Sequence, residues 1–209
     1  KSVAAEERLS LIKAAKDAGV RIMTRTTAFG LYDCGTAGLL ERVTDHLATP
    51  SKHQPRQRFW TLRAQATIIA TGALERSIAF DGNDRPGVMT ANAARAYLNR
   101  YGILPGQKIV ISTNNDSAYD VAGELANAGG QVTLVDVRSG GTLTAPDGGR
   151  LISGMAPLQT LGRTAVTGVK LARRVDGAWQ VADTFDCDLL LVSGGWSPVV
   201  NLLPHRGAV

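Results

Sequence analysis

With 209 residues, 44% of them hydrophobic, and a scattered net charge of +5, the chain has room for one large or two small globular domains. No apolar run approaches the ~20 residues that cross a bilayer, and the charged opening stretch, residues 1–19, lacks the plan of a secretory signal. Cys34 and Cys187 lie far apart, forming neither a C-x-x-C pair nor a metal-ligand cluster, so the expectation is a cytoplasmic protein with reduced thiols and no membrane span.

In chain order, residues 4–18 carry Leu9, Ile12 and Ala15 at helical spacing and stop at Gly19, the pattern of a helix closed at its C′ position. The β-branched run over residues 20–32 predicts a strand, Asp33-Cys34-Gly35 a turn, and residues 39–47 a partner strand. After a loop over residues 48–57, residues 58–70 predict another strand, buried at Ile68-Ile69-Ala70. Lys52, His53, Arg56, Arg58 and Arg63 form the one local basic cluster, with Phe59 and Trp60 inside it. No nucleic-acid motif accompanies it, so it reads as a polar hairpin and no nucleic-acid partner is expected.

Residues 83–87 are a turn, and Thr90 is placed to cap a helix that runs to Arg100 and closes at Gly102. A strand over residues 108–112, a turn over 113–117, a helix to Ala128 and a strand over residues 131–136 make a strand–turn–helix–strand unit. The Gly-rich stretch 138–150, centred on Pro146-Asp147-Gly148-Gly149, is a loop. Asp176-Gly177 between residues 164–174 and 179–185 marks a hairpin. Residues 188–192 read as a buried parallel strand that empties into Ser193-Gly194-Gly195.

A dinucleotide-binding βαβ unit places small residues at G-x-G-x-x-G/A, for the turn, for close approach to a pyrophosphate and for helix packing. An acidic residue about 20 positions on holds the ribose. Here Thr113, Asn114, Asn115, Asp116, Ser117 and Ala118 occupy that frame, and Asp136 stands near the expected distance. Ala118 fits the third position, but Thr113 and Asn115 put side chains where glycines belong. Asp116 at the helix start suits capping but repels a phosphate there. The expectation is a retained Rossmann fold with a degenerate site; a working site is the alternative. Arg138 could meet a 2′-phosphate or be a solvated arginine after a strand. Two further strand ends, Thr71-Gly72-Ala73 and Gly194-Gly195, are where a ligand could approach the backbone closely. His46, His53 and His205 are isolated, and no catalytic residue or metal site is assigned.

The strings Ala70-Thr71-Gly72-Ala73-Leu74-Glu75-Arg76, Asn83-Asp84-Arg85-Pro86-Gly87-Val88-Met89, Thr113-Asn114-Asn115-Asp116-Ser117-Ala118-Tyr119 and Asp188-Leu189-Leu190-Leu191-Val192-Ser193-Gly194-Gly195-Trp196 resemble the alpha subunits of heterotetrameric sarcosine oxidases. Opine and amino-acid dehydrogenase subunits are similar in architecture. The resemblance implies an α/β, Rossmann-like FAD/NAD(P)-binding fold like that of the pyridine nucleotide-disulfide reductases. Residues 1–80 and 186–209 would belong to a partial first dinucleotide domain, and residues 81–185 to an inserted second βαβ domain. It implies an internal piece of a flavoenzyme that demethylates sarcosine to glycine, with formaldehyde and hydrogen peroxide as further products. NAD would sit in the alpha subunit, FMN and FAD elsewhere in the complex, and the beta, gamma and delta subunits would be its partners. This piece would supply scaffold and nucleotide-site residues rather than the amine-oxidising site; a subunit-interaction scaffold is the competing reading. A stand-alone NAD(P)-dependent reductase is disfavoured by the lost glycines.

Overall fold

The structure is a computed structural model and describes residues 3–139, 144–145 and 148–203. It divides into two compact units, Lys1–Thr71 with Val200–Val209, and Gly72–Val199. Among the described residues no helix is long and apolar enough to cross a membrane. The core of the 138–150 loop at Pro146-Asp147, and His205, lie outside the described residues.

In the first unit, helix α1 (Val3–Asp17) precedes a three-stranded antiparallel sheet in the order β1 (Thr26–Tyr32), β2 (Thr36–Arg42), β3 (Gln57–Arg63). The expected strand over residues 20–32 forms only from Thr26, since Arg25 adopts a left-handed φ of 54°. The second strand starts earlier than expected and stops at Arg42, where the amides of Val43 and Thr44 both donate to the Arg56 carbonyl. The third stops at Arg63, and the buried strand end expected at Ile68-Ile69-Ala70 is absent: Ile68 is 93% exposed. A strand needs a neighbour to satisfy its amides and carbonyls, and among the described residues no strand pairs with residues 65–70. Within the basic cluster, Arg58 pairs with Glu41 and Arg56 with Asp45. The Trp60 indole N–H donates to Glu41 at 2.8 Å, with the Arg21 guanidinium 4.7 Å from its ring centre.

The second unit is built on a five-stranded parallel sheet. Its strands are β5 (Val88–Thr90), β6 (Lys108–Thr113), β7 (Gln131–Asp136), β8 (Arg150–Ser153) and β12 (Leu189–Ser193), in the order β5-β12-β6-β7-β8. Successive strand residues face opposite sides, which explains the unbroken apolar runs. Ile109, Ile111, Leu134, Leu189 and Leu191 pack with helices α2 (Ala91–Tyr101) and α3 (Ser117–Asn127). Val110, Val135 and Leu190 pack instead with Met155, Val169 and Leu171. Those last residues belong to a covering layer, an antiparallel sheet of β9 (Ala156–Leu161), β10 (Gly168–Val175) and β11 (Ala178–Asp186), and its approach. The β10–β11 turn holds Asp176 and Gly177 at φ 49° and 83°, the two left-handed positions of a type I′ hairpin. A short ribbon pairs β4 (Ala73–Glu75) with β13 (Trp196–Pro198).

The structure departs from the sequence pattern at two further points. The expected domain boundary assigns residues 186–199 to the first domain, but β12 lies inside the parallel sheet of the second unit, paired to β5 on one side and β6 on the other. Its run of leucines is buried on both faces, which only a central strand between two layers can satisfy. Thr90 does not cap α2 with its side chain; the Glu75 carboxylate accepts from the Asn92 amide at 2.7 Å instead. A carboxylate at a helix start serves the same exposed N–H groups and the helix dipole. Both cysteines are free thiols, and Cys187 is buried, its thiol pushed up to about 12 by burial and by Asp188 and Asp186.

Candidate functional site

Parallel α/β sheets bind ligands beyond the carboxyl ends of their strands, and all the strand-end motifs of the second unit meet there. Residues 113–117 leave β6 and enter α3, and residues 193–196 leave β12 beside them. The glycines Gly194 and Gly195 connect in turn to the β4 ribbon: the Gly194 amide donates to the Arg76 carbonyl, and the Arg76 amide to the Gly195 carbonyl, both at 2.9 Å. The Val199 amide donates to the Gly72 carbonyl at 3.0 Å, with Gly72 at φ 74° leading into Ala73 of β4. Thr71 closes the first unit. Gly72, Ala73, Gly194 and Gly195 are thus a structural seam joining β4, β13 and β12.

The residues standing in the glycine positions are turned inward on the loop itself. The Thr113 hydroxyl donates to the Asn115 carbonyl at 2.9 Å and accepts from the Asn115 amide at 3.1 Å. The Asn115 side chain is the hub: its Nδ2 donates to the Ser193 carbonyl at 3.1 Å and to the Ser193 hydroxyl at 3.2 Å. Its Oδ1 accepts from the Ser117 amide at 3.1 Å and the Ser117 hydroxyl at 2.6 Å. The Ser117 hydroxyl also accepts from the Trp196 indole at 2.9 Å. Asn114 reaches the same seam, its amide donating to the Ser193 carbonyl at 3.3 Å. Asn115, not Asp116, therefore supplies the side-chain oxygen at the start of α3, which corrects the expectation that Asp116 caps that helix.

Asp136 ends β7 as expected, but its carboxylate is 0% exposed and already enclosed. Oδ1 accepts from the Arg138 amide at 2.9 Å and Arg138 Nε at 3.0 Å. Oδ2 accepts from Arg138 Nη2 at 2.7 Å and from the Tyr119 hydroxyl at 2.9 Å. Burial alone would push this carboxyl up; the hydrogen bonds from Arg138 and Tyr119 and the Arg138 charge outweigh it and hold the group below its ordinary value. The Tyr119 phenol is pushed up to about 12 by burial and by the neighbouring Asp136 carboxylate. Arg138 Nη2 also binds Asp116 Oδ1 at 2.7 Å, so one guanidinium bridges the ribose-type aspartate and the phosphate-type loop. That corrects the reading of Arg138 as a solvated side chain. Its pairing with Asp116 was not legible because it depends on how β6 and β7 lie side by side; its proximity to Asp136 at i+2 was the available signal.

The residues present do not fit a bound dinucleotide in this arrangement. A pyrophosphate needs bare backbone N–H groups at the turn, and a ribose needs unfilled carboxylate lone pairs. The Thr113 and Asn115 side chains take the Asn115 and Ser117 amides, and Arg138 and Tyr119 fill the Asp136 carboxylate. Among the described residues, no group of three or more His, Cys, Asp or Glu side chains is placed to hold a metal ion.

No protein-family model matches the chain. It is 41% identical over 189 residues to the sarcosine oxidase alpha subunit of Rhizobium meliloti (strain 1021), covering 90% of this chain and 19% of that protein. It is 39% identical over 194 residues to the corresponding protein of Corynebacterium sp. (strain P-1), covering 88% of this chain and 20% of that one. A shorter match, 33% over 84 residues, covers 40% of the chain and 18% of an opine oxidase component from Rhizobium meliloti (strain 1021). The chain spans about a fifth of the length of the curated relatives it matches. In fold it is similar to thioredoxin reductase from T. acidophilum (TM-score 0.66, 15% identity, 97% of this chain and 63% of that one). It is also similar to a FAD-dependent pyridine nucleotide-disulphide oxidoreductase from Desulfovibrio vulgaris (TM-score 0.55, 19% identity, 87% and 45%). Over nine-tenths of its length the chain is a homologue of one stretch of the sarcosine oxidase alpha subunits, with the Rossmann-like α/β fold of the pyridine nucleotide-disulfide oxidoreductases.

Proposed function

We propose that this chain is the part of a sarcosine-type, secondary-amine-oxidising flavoenzyme alpha subunit that supplies a dinucleotide fold as scaffold. The second unit, residues 72–199, is the inserted Rossmann-like domain with its nucleotide site closed from within. The first unit is a remnant of the first dinucleotide domain. The whole enzyme oxidises a secondary amine such as sarcosine, with NAD held in the first dinucleotide domain of the complete alpha subunit, and FMN and FAD elsewhere in an assembly with beta, gamma and delta subunits. The identity to sarcosine oxidase alpha subunits over most of the chain supports the enzyme class. The shorter match to an opine oxidase supports amine oxidation more broadly than sarcosine alone.

The observation that carries the scaffold role is the Asn115 hub, whose side chain stitches residues 113–117 to Ser193. Calorimetric titration of the 209-residue chain with NAD, NADP and FAD at low salt tests it. No saturable binding is expected for any of the three. The variant T113G/N115G, which bares the loop backbone, is expected to gain NAD affinity. One-to-one saturable binding by the unaltered chain would overturn the closed-site reading, and an unchanged double variant would show that those two side chains are not what closes it.

A further inference from the structure

One face of the first unit's sheet is built as a flat aromatic surface. Between β2 and β3 the pairs Thr36–Arg63, Gly38–Thr61, Leu40–Phe59 and Arg42–Gln57 alternate along the ladder and so share that face. β1 adds Tyr32 beside Thr36 and Gly30 beside Gly38. Its register shifts between Ala28 and Gly30, and this bulge brings Phe29 to the same face, its ring edge-on to Phe59 with centres 5.9 Å apart. The two glycines make the seats. A Cβ on Gly38 would stand 2.6 Å from the Phe29 ring, and one on Gly30 2.5 Å from the Tyr32 hydroxyl. The rings of Phe29 and Tyr32 therefore lie down across the strands and bury the glycines, while Phe29, Tyr32 and Phe59 themselves stay 45%, 46% and 74% exposed.

Charge gives the face a polarity. Glu41, the one acidic residue of the three strands, is on the opposite face with Arg58 and Trp60. The aromatic face carries only cations, Arg42 at one end and Arg63 at the other, six residues or about 20 Å apart along β2. Neither guanidinium has a hydrogen bond or ion pair among the described residues, and Asp45 near Arg42 is already bonded to Arg56 and Gln57. Like charges at both ends oppose a second copy of the same face. A nucleic-acid strand would bring a phosphate about every 3.4 Å, several against two cations, and the edge-to-face pair of Phe29 and Phe59 offers no parallel platforms for successive bases. An apolar sheet face is buried in a folded protein against a second layer, and arginine forks suit carboxylates.

We propose that this face docks a polypeptide segment with an apolar centre and a carboxylate toward each end, supplied by the part of the alpha subunit outside this chain. The inference rests on reading the chain as part of such a subunit, of whose relatives it spans about a fifth. A covalently connected segment is present at high effective concentration, which favours it over a separate protein.

Hydroxyl-radical footprinting read by mass spectrometry tests this on the 209-residue chain and on the full-length alpha subunit free of its partners. Phe29, Tyr32 and Phe59 are expected to oxidise at least tenfold more slowly in the subunit. R42K/R63K, treated with a carbodiimide in the subunit, is expected to give cross-links from positions 42 and 63 to Asp or Glu outside the 209 residues. R42E/R63E is expected to raise ring oxidation in the subunit at least threefold and to leave the melting profile of the 209-residue chain unchanged, which separates lost docking from lost folding. Rings equally reactive in chain and subunit would overturn the proposal, as would protection that arises only when other subunits are added. So would a dimer of the 209-residue chain that F59S disperses, or binding of single-stranded oligothymidylate that F59S abolishes. A native polypeptide no longer than this chain would instead overturn the reading of it as part of an alpha subunit, and the occupant with it.

Discussion

At the scale of single residues, Asp136 shows how one position can keep its place in a motif while changing its work. Its location after β7 is what the dinucleotide pattern specifies, yet Arg138 and Tyr119 already satisfy its carboxylate. The group is held below its ordinary value in the folded chain, while in the unfolded chain it titrates near about 3.9. A depressed folded value means the pair's stabilisation is fully present above the unfolded value and is lost as pH falls through the folded one. D136N keeps the shape and removes the charge, and leaves Arg138, itself partly exposed, facing a neutral amide. The expected cost is about 2–4 kcal/mol at pH 7, read from urea midpoints. The gap between the two proteins should narrow as pH falls below about 4; a gap that stays constant through the folded value would mean that the charge contributes nothing. Tyr119, near 12, plays no part in that range. Asp136 was readable from the sequence because motif spacing is a property of one βαβ unit. The Asn115 hub was not, because Ser193 and Trp196, the second reached through Ser117, lie on β12 and β13, brought beside the loop only by the folded sheet.

At the scale of elements, turns and helix carboxyl ends were the most readable, since their chemistry is local, and strand pairing the least; the helix starts, where Glu75 and Asn115 serve instead of Thr90 and Asp116, fell between. Gly102 closes α2 at φ 67°, its amide donating to the Leu98 carbonyl, with open space where a Cβ would stand. G102A therefore meets no clash, and its cost is the left-handed backbone alone, about 1 kcal/mol. Gly123 sits within α3, also with nothing near its Cβ position. There the same change has the opposite sign: G123A should stabilise by about 0.5–1 kcal/mol, because alanine favours the helix and has less freedom to lose. Thermal melts of the two variants should move apart in opposite directions; a shift in the same direction would show that packing, not backbone preference, governs one of them. The strand expected at residues 65–70 did not form, and β12, a buried parallel strand as expected, joined the sheet of the second unit rather than the first, for one shared reason. Apolar, β-branched runs announce a wish to be buried, but not which sheet, or whether any neighbour, will receive them.

At the scale of the whole chain, the second unit holds most of the buried apolar residues and the first has few. Ile109, Ile111, Leu134, Leu189, Leu190 and Leu191 are all nearly or fully buried in the parallel sheet. In α1, by contrast, Leu9 is 58% and Ile12 38% exposed, and the apolar stripe read from the sequence is largely uncovered. Sequence periodicity reported correctly that α1 has an apolar side; it carries no information about whether anything covers it. Helical stability in water comes mainly from such packing, and a 15-residue helix without it is marginal. Local opening free energies follow buried contact, so amide exchange should be graded along the chain. The slowest amides are expected in β6, β7 and β12, whose neighbours on both sides in the sheet satisfy and bury their hydrogen bonds. Amides of α1 and of residues 65–70 should exchange orders of magnitude faster, at rates near those of an open chain, and β1–β3 should fall between. Hydrogen exchange read by mass spectrometry on the 209-residue chain measures this directly. Equal protection in α1 and β6 would mean that the helix's apolar stripe is covered in solution, and that the stability of the first unit does not follow from the packing described above.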